Sequence, residues 1–118
     1  DELIGLEVNM RPSGGISPDM MNFSQSTDVY KIWADMIAYD SSLRGIGQTA
    51  FCAFAGRRDG KNFVMSNEDI MHKYGANMKM SGRVADALFG AMGNQMYIAN
   101  FNTKEEMDAF YNDVLACR

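Results

Sequence analysis

Residues 95–115 read QMYIANFNTKEEMDAFYNDVL. The first seven are rich in apolar and aromatic side chains and carry no charge, which predicts a central β-strand over 95–101. Thr103 and Glu106 then stand at the spacing of a capping box, in which each side chain satisfies a backbone N–H of the other's end. Met107, Phe110, Tyr111, Val114 and Leu115 follow at helical spacing, so a helix is predicted over 104–116. A strand running directly into a capped amphipathic helix points to a compact α+β unit.

Working outward, Ser66 and Asp69 form a second capping box, which predicts a helix over 67–74 closed by Gly75. Met78 and Met80 alternate with Lys79 and Ser81, a strand pattern. Residues 84–91 fit strand or helix, interrupted by glycines at 82, 90 and 93. TAFCAFAG (49–56) is short and nearly all apolar and reads as a buried strand. RRDG (57–60) then reads as a hairpin turn, with KNFVM (61–65) as the return strand. Arg57 and Arg58, at that tip, read as solvated charges, and Cys52 as a small core residue. Val29, Ile32, Trp33, Met36 and Ile37 recur at i, i+3, i+4, i+7 and i+8, predicting a helix over 28–39 with cap candidates Ser26 and Thr27. Trp33 is expected in the core. The fold class is therefore α+β: a small, mainly antiparallel sheet with two to three packed helices.

Composition narrows function. At 118 residues the chain has room for one small domain or a piece of a larger one. Its net charge of −4 argues against a nucleic-acid partner, which calls for a basic face. No run of apolar residues is long enough to span a membrane. Asp1-Glu2 lacks the basic start of a signal peptide. Cys52 and Cys117 are widely spaced, which suits free thiols in a reducing, cytoplasmic setting. His72 has no partner at a catalytic or metal-binding spacing. Eleven methionines are many, and most fall on predicted apolar faces, so they read as core filling. Met20-Met21 is the exception, in a predicted loop.

The chemistry concentrates in LIGLEVNMRPSGG, residues 3–15. Ile4, Leu6, Val8 and Met10 alternate with Gly5, Glu7, Asn9 and Arg11, which predicts a strand with one apolar and one polar face. Glu7, Asn9 and Arg11 then share a face at steps of about 6.5–7 Å. Carboxylate and amide oxygens are hard ligands that suit Mg²⁺, and a guanidinium suits phosphate or carboxylate. Pro12-Ser13-Gly14-Gly15 turns the chain, and backbone N–H groups at Gly14 and Gly15 suit an anion. An exposed strand with one local ion pair is the alternative reading of the same residues.

LEVNMRPSGG (6–15) resembles the last catalytic strand of the ATP-grasp superfamily, a Glu-x-Asn-x-Arg strand at the edge of the nucleotide site. SGGISPDMMNFSQSTDVYKIWADMI (13–37) resembles its continuation in carbamoyl-phosphate-synthase-like members, a Ser/Gly-rich loop and then a helix. More weakly, the remainder resembles the small C-terminal region of biotin carboxylase and its relatives. The resemblance implies that Glu7 and Asn9 ligate Mg²⁺ on the ATP phosphates. It implies that Arg11 steadies the acyl-phosphate or its carboxylate precursor, and that Gly14 and Gly15 lie against the nucleotide. Biotin carboxylases continue after the arginine with a Gln-Val-Glu-His-like run, whereas Pro-Ser-Gly-Gly follows Arg11 here, which fits a carboxylate–amine ligase better.

On this reading residues 1–47 end an ATP-grasp catalytic domain and 48–118 form a small C-terminal subdomain. The chain is then a C-terminal fragment, inactive alone, of an enzyme acting on a carboxylate and a nucleophile. Its partner is the rest of the ATP-grasp domain, and apolar surface left uncovered favours a homo-oligomer of the fragment. A non-catalytic α+β interaction module is the competing reading. An RNA-recognition-like domain would need aromatics on an open sheet beside basic residues, which the acidic balance disfavours.

Overall fold

A computed structural model describes Ile4, Arg11 and residues 13–118. The strand expected over 4–11, with Glu7 and Asn9, lies outside the described residues apart from Ile4 and Arg11 themselves. In chain order the elements are α1 (Ser17–Gln25), α2 (Val29–Tyr39), β1 (Phe51–Arg57), α3 (Asn67–Tyr74) and β2 (Met78–Arg83). A 3₁₀ turn (Asp86–Leu88), α4 (Phe89–Met92), β3 (Gln95–Phe101) and α5 (Lys104–Leu115) follow. Among the described residues no helix is long and apolar enough to cross a membrane.

The protein is α+β, with one three-stranded antiparallel sheet ordered β1-β3-β2. The uncharged run 95–101 takes the centre. It pairs with β1 from Phe51↔Phe101 to Arg57↔Gln95 and with β2 from Met80↔Ile98 to Arg83↔Gln95, with a register shift between Met78 and Met80. One face buries Ala53, Ala55, Tyr97, Ala99 and Phe101 against Ile70 and Tyr74 of α3 and Phe110 and Val114 of α5. Three small alanines let α5 come close to the sheet, and the aromatic rings fill the remaining space. Tyr74 meets Phe110 edge-on at 5.1 Å, a geometry that suits the ring quadrupoles. By strand alternation Asn100 looks to the opposite face, where its Nδ2 donates to the Phe23 carbonyl of α1 at 2.7 Å. Ser24 Oγ donates to Ala50 O at 2.8 Å, which ties α1 to the entry of β1.

Both capping boxes are present as the sequence predicts. Ser66 accepts from Asp69 N–H and Thr103 from Glu106 N–H, with the reciprocal bonds also made.

Several expectations are corrected. Residues 61–65 are not a return strand. Gly60 does turn the chain (φ +82°), but β1 pairs with β3, and the backbone of residues 61–65 pairs instead with the tail after α5. There Phe63 bridges Cys117, Val64 N donates to Ala116 O and Arg118 N donates to Asn62 O. The longer and wholly uncharged 95–101 offers β1 a fuller apolar ladder than the polar-started KNFVM. Residues 17–25, expected as loop, form α1. Pro18 stands in its first turn, where a missing N–H costs nothing, and Ser26 closes it in the left-handed region at φ 46°. Met20 and Met21 are thus helical. The cap of α2 is Asp28, not Ser26 or Thr27, and its side chain accepts from Lys31 N at 3.0 Å. Gly75 does end α3, as expected, in a right-handed conformation. Strand β1 starts at exposed Phe51 and then alternates half-buried and buried positions, so it is covered fully on one face only. Arg57 is buried rather than solvated, and Trp33 is partly exposed rather than core. None of the described methionines is in the fully buried core; Met65, Met78 and Met107 pack at its edge.

Candidate functional site

The only residue of the Glu7–Asn9–Arg11 row among the described residues is Arg11, an exposed side chain immediately before the turn into α1. Gly15 adopts φ +65°, a conformation that a side chain disfavours, so glycine at this position has a backbone reason. Among the described residues an added Cβ at Gly14 or Gly15 would meet nothing within 4 Å. Beyond it, Ile16 caps α1 without any side-chain hydrogen bond.

Arg11 and Ser13 line a groove of about 270 Å³ together with Pro18 and Met21 of α1 and Val29, Ile32, Trp33 and Met36 of α2. The corner between the two helices is fixed by side-chain oxygens. Asn22 Oδ1 accepts from Val29 N at 2.7 Å, and Asp28 caps α2. The Lys31 backbone bond and the Lys31 charge hold the Asp28 carboxyl below its ordinary range, so the cap stays ionised at neutral pH. Thr27 Oγ1 donates to Gly45 O and Ser26 Oγ to Gln48 O, which draws residues 40–48 back across the corner. The groove is thus lined mostly by apolar side chains, with Arg11 and Ser13 as its polar members. Such a site suits an anionic head group with an apolar body, since a charge-assisted bond strengthens where water is displaced.

Trp33, Ile32 and Met36 were legible only as one apolar helix face, which usually signals core. Their groove position depends on α1, which the sequence did not announce. Outside this groove, Lys73, Tyr74 and Asp113 do structural work. Among the described residues no three His, Cys, Asp or Glu side chains converge on a possible metal position. Burial pushes the Cys52 thiol up, which keeps it protonated and poor as a nucleophile. Lys73 Nζ and Tyr74 OH both donate to Asp113 Oδ2 at 2.5 Å, which clamps α3 to α5.

Comparison with protein-family profiles, curated proteins and solved structures gave no match.

Proposed function

We propose that this chain contributes the metal-and-phosphate edge of an ATP-dependent, Mg²⁺-dependent carboxylate ligase of the ATP-grasp type, working in the cytoplasm. The observation that carries the reading is the placement of Arg11. It stands two residues after the hard-ligand pair in sequence and lines one groove with Met21, Trp33 and Met36. Glu7 and Asn9 offer carboxylate and amide oxygens, the donor type that suits Mg²⁺. Held there, Mg²⁺ supplies charge neutralisation on the nucleotide phosphates. Arg11 holds the carboxylate while its oxygen takes the γ-phosphoryl group from ATP, with ADP leaving. An amine or similar nucleophile then attacks the acyl carbon and phosphate leaves. Gly14 and Gly15 offer backbone N–H groups to the phosphate oxygens. The apolar groove walls seat the substrate body and keep water from the acyl-phosphate. The remaining ATP-grasp parts act as partner to this edge.

The test is ADP release by the full-length gene product with Mg-ATP and a panel of carboxylates and amines. Carboxylate-dependent release should fall by about a hundredfold or more in Glu7→Gln and Arg11→Ala. The exposed His72, remote in sequence from this row, should tolerate His72→Ala without loss. A second reading, a non-catalytic interaction module, draws on the exposed apolar residues of α2, including Ile37 and Tyr39. It gains ground if no carboxylate ever releases ADP.

A further inference from the structure

β1 ends in Arg57, whose side chain continues the buried face of Ala53 and Ala55 and is only 6% exposed. Its Nε donates to Val114 O at 2.7 Å, and Nη1 donates to Met65 O at 2.9 Å. The guanidinium carbon lies 4.4 Å from the Phe63 ring centre and 5.6 Å from that of Tyr97. Nη2 is buried, with no hydrogen-bond acceptor for it among the described residues. Among the described residues no carboxylate pairs with this cation. Carbonyl oxygens and ring faces solvate part of the charge but do not neutralise it. An uncompensated charge in a low-dielectric setting is costly alone and acts strongly on its surroundings.

Arg57 is on the lining of a cavity of about 580 Å³, and Lys61 and Arg118 line the same cavity. Both are exposed, and neither side chain has a carboxylate partner among the described residues. Segment 61–65 and the tail after α5 are stitched together by Val64 N to Ala116 O and Arg118 N to Asn62 O, which holds Lys61 and Arg118 on one rim. Asp69 is the one acidic residue on the lining, and its Oδ2 is occupied by the Ser66 N–H and hydroxyl. Among the side chains of the lining, three cations therefore face one engaged carboxylate.

We propose that this cavity binds a small oxyanion, a phosphate or carboxylate, gripped by Lys61 and Arg118 at the rim and attracted by the buried charge of Arg57. The rim side chains supply the hydrogen bonds, since Nε and Nη1 of Arg57 are committed to carbonyls and Nη2 is buried beneath the surface. The role of Arg57 is field rather than contact. This inference is independent of the ligase reading and stands or falls without it.

The experiment is a calorimetric titration of the 118-residue chain with inorganic phosphate and, separately, with succinate, sodium chloride holding the ionic strength constant. Arg57→Met would remove the donors to Val114 and Met65 and so tests folding rather than binding. Lys61→Gln and Arg118→Gln change exposed side chains and leave those donors in place. Saturable binding with one site per chain is expected, weakened roughly tenfold by either substitution, the scale of one charge-assisted hydrogen bond. Tighter binding of phosphate assigns the site to phosphate-bearing ligands, and tighter binding of succinate assigns it to carboxylates. Either result supports the proposal. Absence of saturable binding for both anions overturns it. So does binding that the double variant Lys61→Gln/Arg118→Gln leaves unchanged.

Discussion

Asp113 shows how one residue joins two elements. Its Oδ2 receives both Lys73 Nζ and Tyr74 OH, and the Lys73 bond, then the Tyr74 bond, holds the carboxyl below its ordinary value of 3.8. A carboxyl with a lowered folded-state value adds stability at pH above its unfolded value. That stability is lost as pH falls below about 4 and through the lower folded value. Lys73 is raised by the same bond, so its share is present at neutral pH and lost only as pH rises past about 10.5. The urea midpoint of the wild type should therefore fall between pH 5 and pH 2. In Asp113→Asn the neutral-pH midpoint should be lower and the acid fall shallower. Asp28, Asp59 and Asp69 are also held low and retain the rest of the slope. An identical acid profile for the variant would show that the clamp adds nothing. Arg57 marks the limit of reading at this scale. In sequence it adjoins Arg58 and a Asp59-Gly60 turn, a pattern of solvated charge. Its burial follows from position: it is the next residue on the Ala53–Ala55 face, and the end of α5 offers it a carbonyl.

At the level of elements, local signals served wherever they were complete. The two capping boxes, the helical spacing of α2 and α5 and the apolar run of β3 each specify a structure without help from the rest of the chain. The hairpin expected at 57–65 failed because a turn signal fixes a turn, while the pairing partner is chosen by the whole sheet. Helix α1 escaped notice because its start has no side-chain cap and its sequence is polar and mixed. Close packing between elements was equally hidden. Gly56 of β1 faces the α4 end, where an added Cβ would run into the carbonyl oxygen of Met92. The same corner is held by Asn94 N donating to Arg57 O at 2.7 Å, with Gly93 at φ +82°. Gly56→Ala should cost roughly 2–3 kcal/mol, because backbone rather than a flexible side chain must give way. Denaturant unfolding measures this, and a loss below about 0.5 kcal/mol would mean that the corner yields freely.

The whole molecule is more open than its length requires. The radius of gyration is 16.8 Å, against about 13.5 Å for a compact chain of this size. The accessible surface is 8257 Å², against about 6400 Å². Among the described residues, apolar side chains on α2 and the segment after it stand uncovered. Ile37 is 71% exposed, Tyr39 75% and Leu43 fully exposed. An apolar surface of this kind should bind a hydrophobic dye and promote concentration-dependent association. The combined substitutions Ile37→Lys, Tyr39→Ser and Leu43→Ser should reduce both in fluorescence titration and light scattering. Dye binding unaffected by them would move the sticky surface elsewhere. The α+β class and central strand were readable from the chain because they depend on local periodicity. The groove was not, because it exists only once α1 and α2 close their corner beside Arg11.

The central claim is that the Glu7–Asn9–Arg11 row holds metal and phosphate. Its most direct test is Mn²⁺ binding, followed by electron paramagnetic resonance, in the full-length gene product with a non-hydrolysable ATP analogue. The account predicts nucleotide-dependent Mn²⁺ binding whose affinity drops about tenfold or more in Glu7→Gln and in Asn9→Ala, while Arg11→Ala keeps the metal. Mn²⁺ bound with the same stoichiometry and affinity in wild type, Glu7→Gln and Asn9→Ala would contradict it.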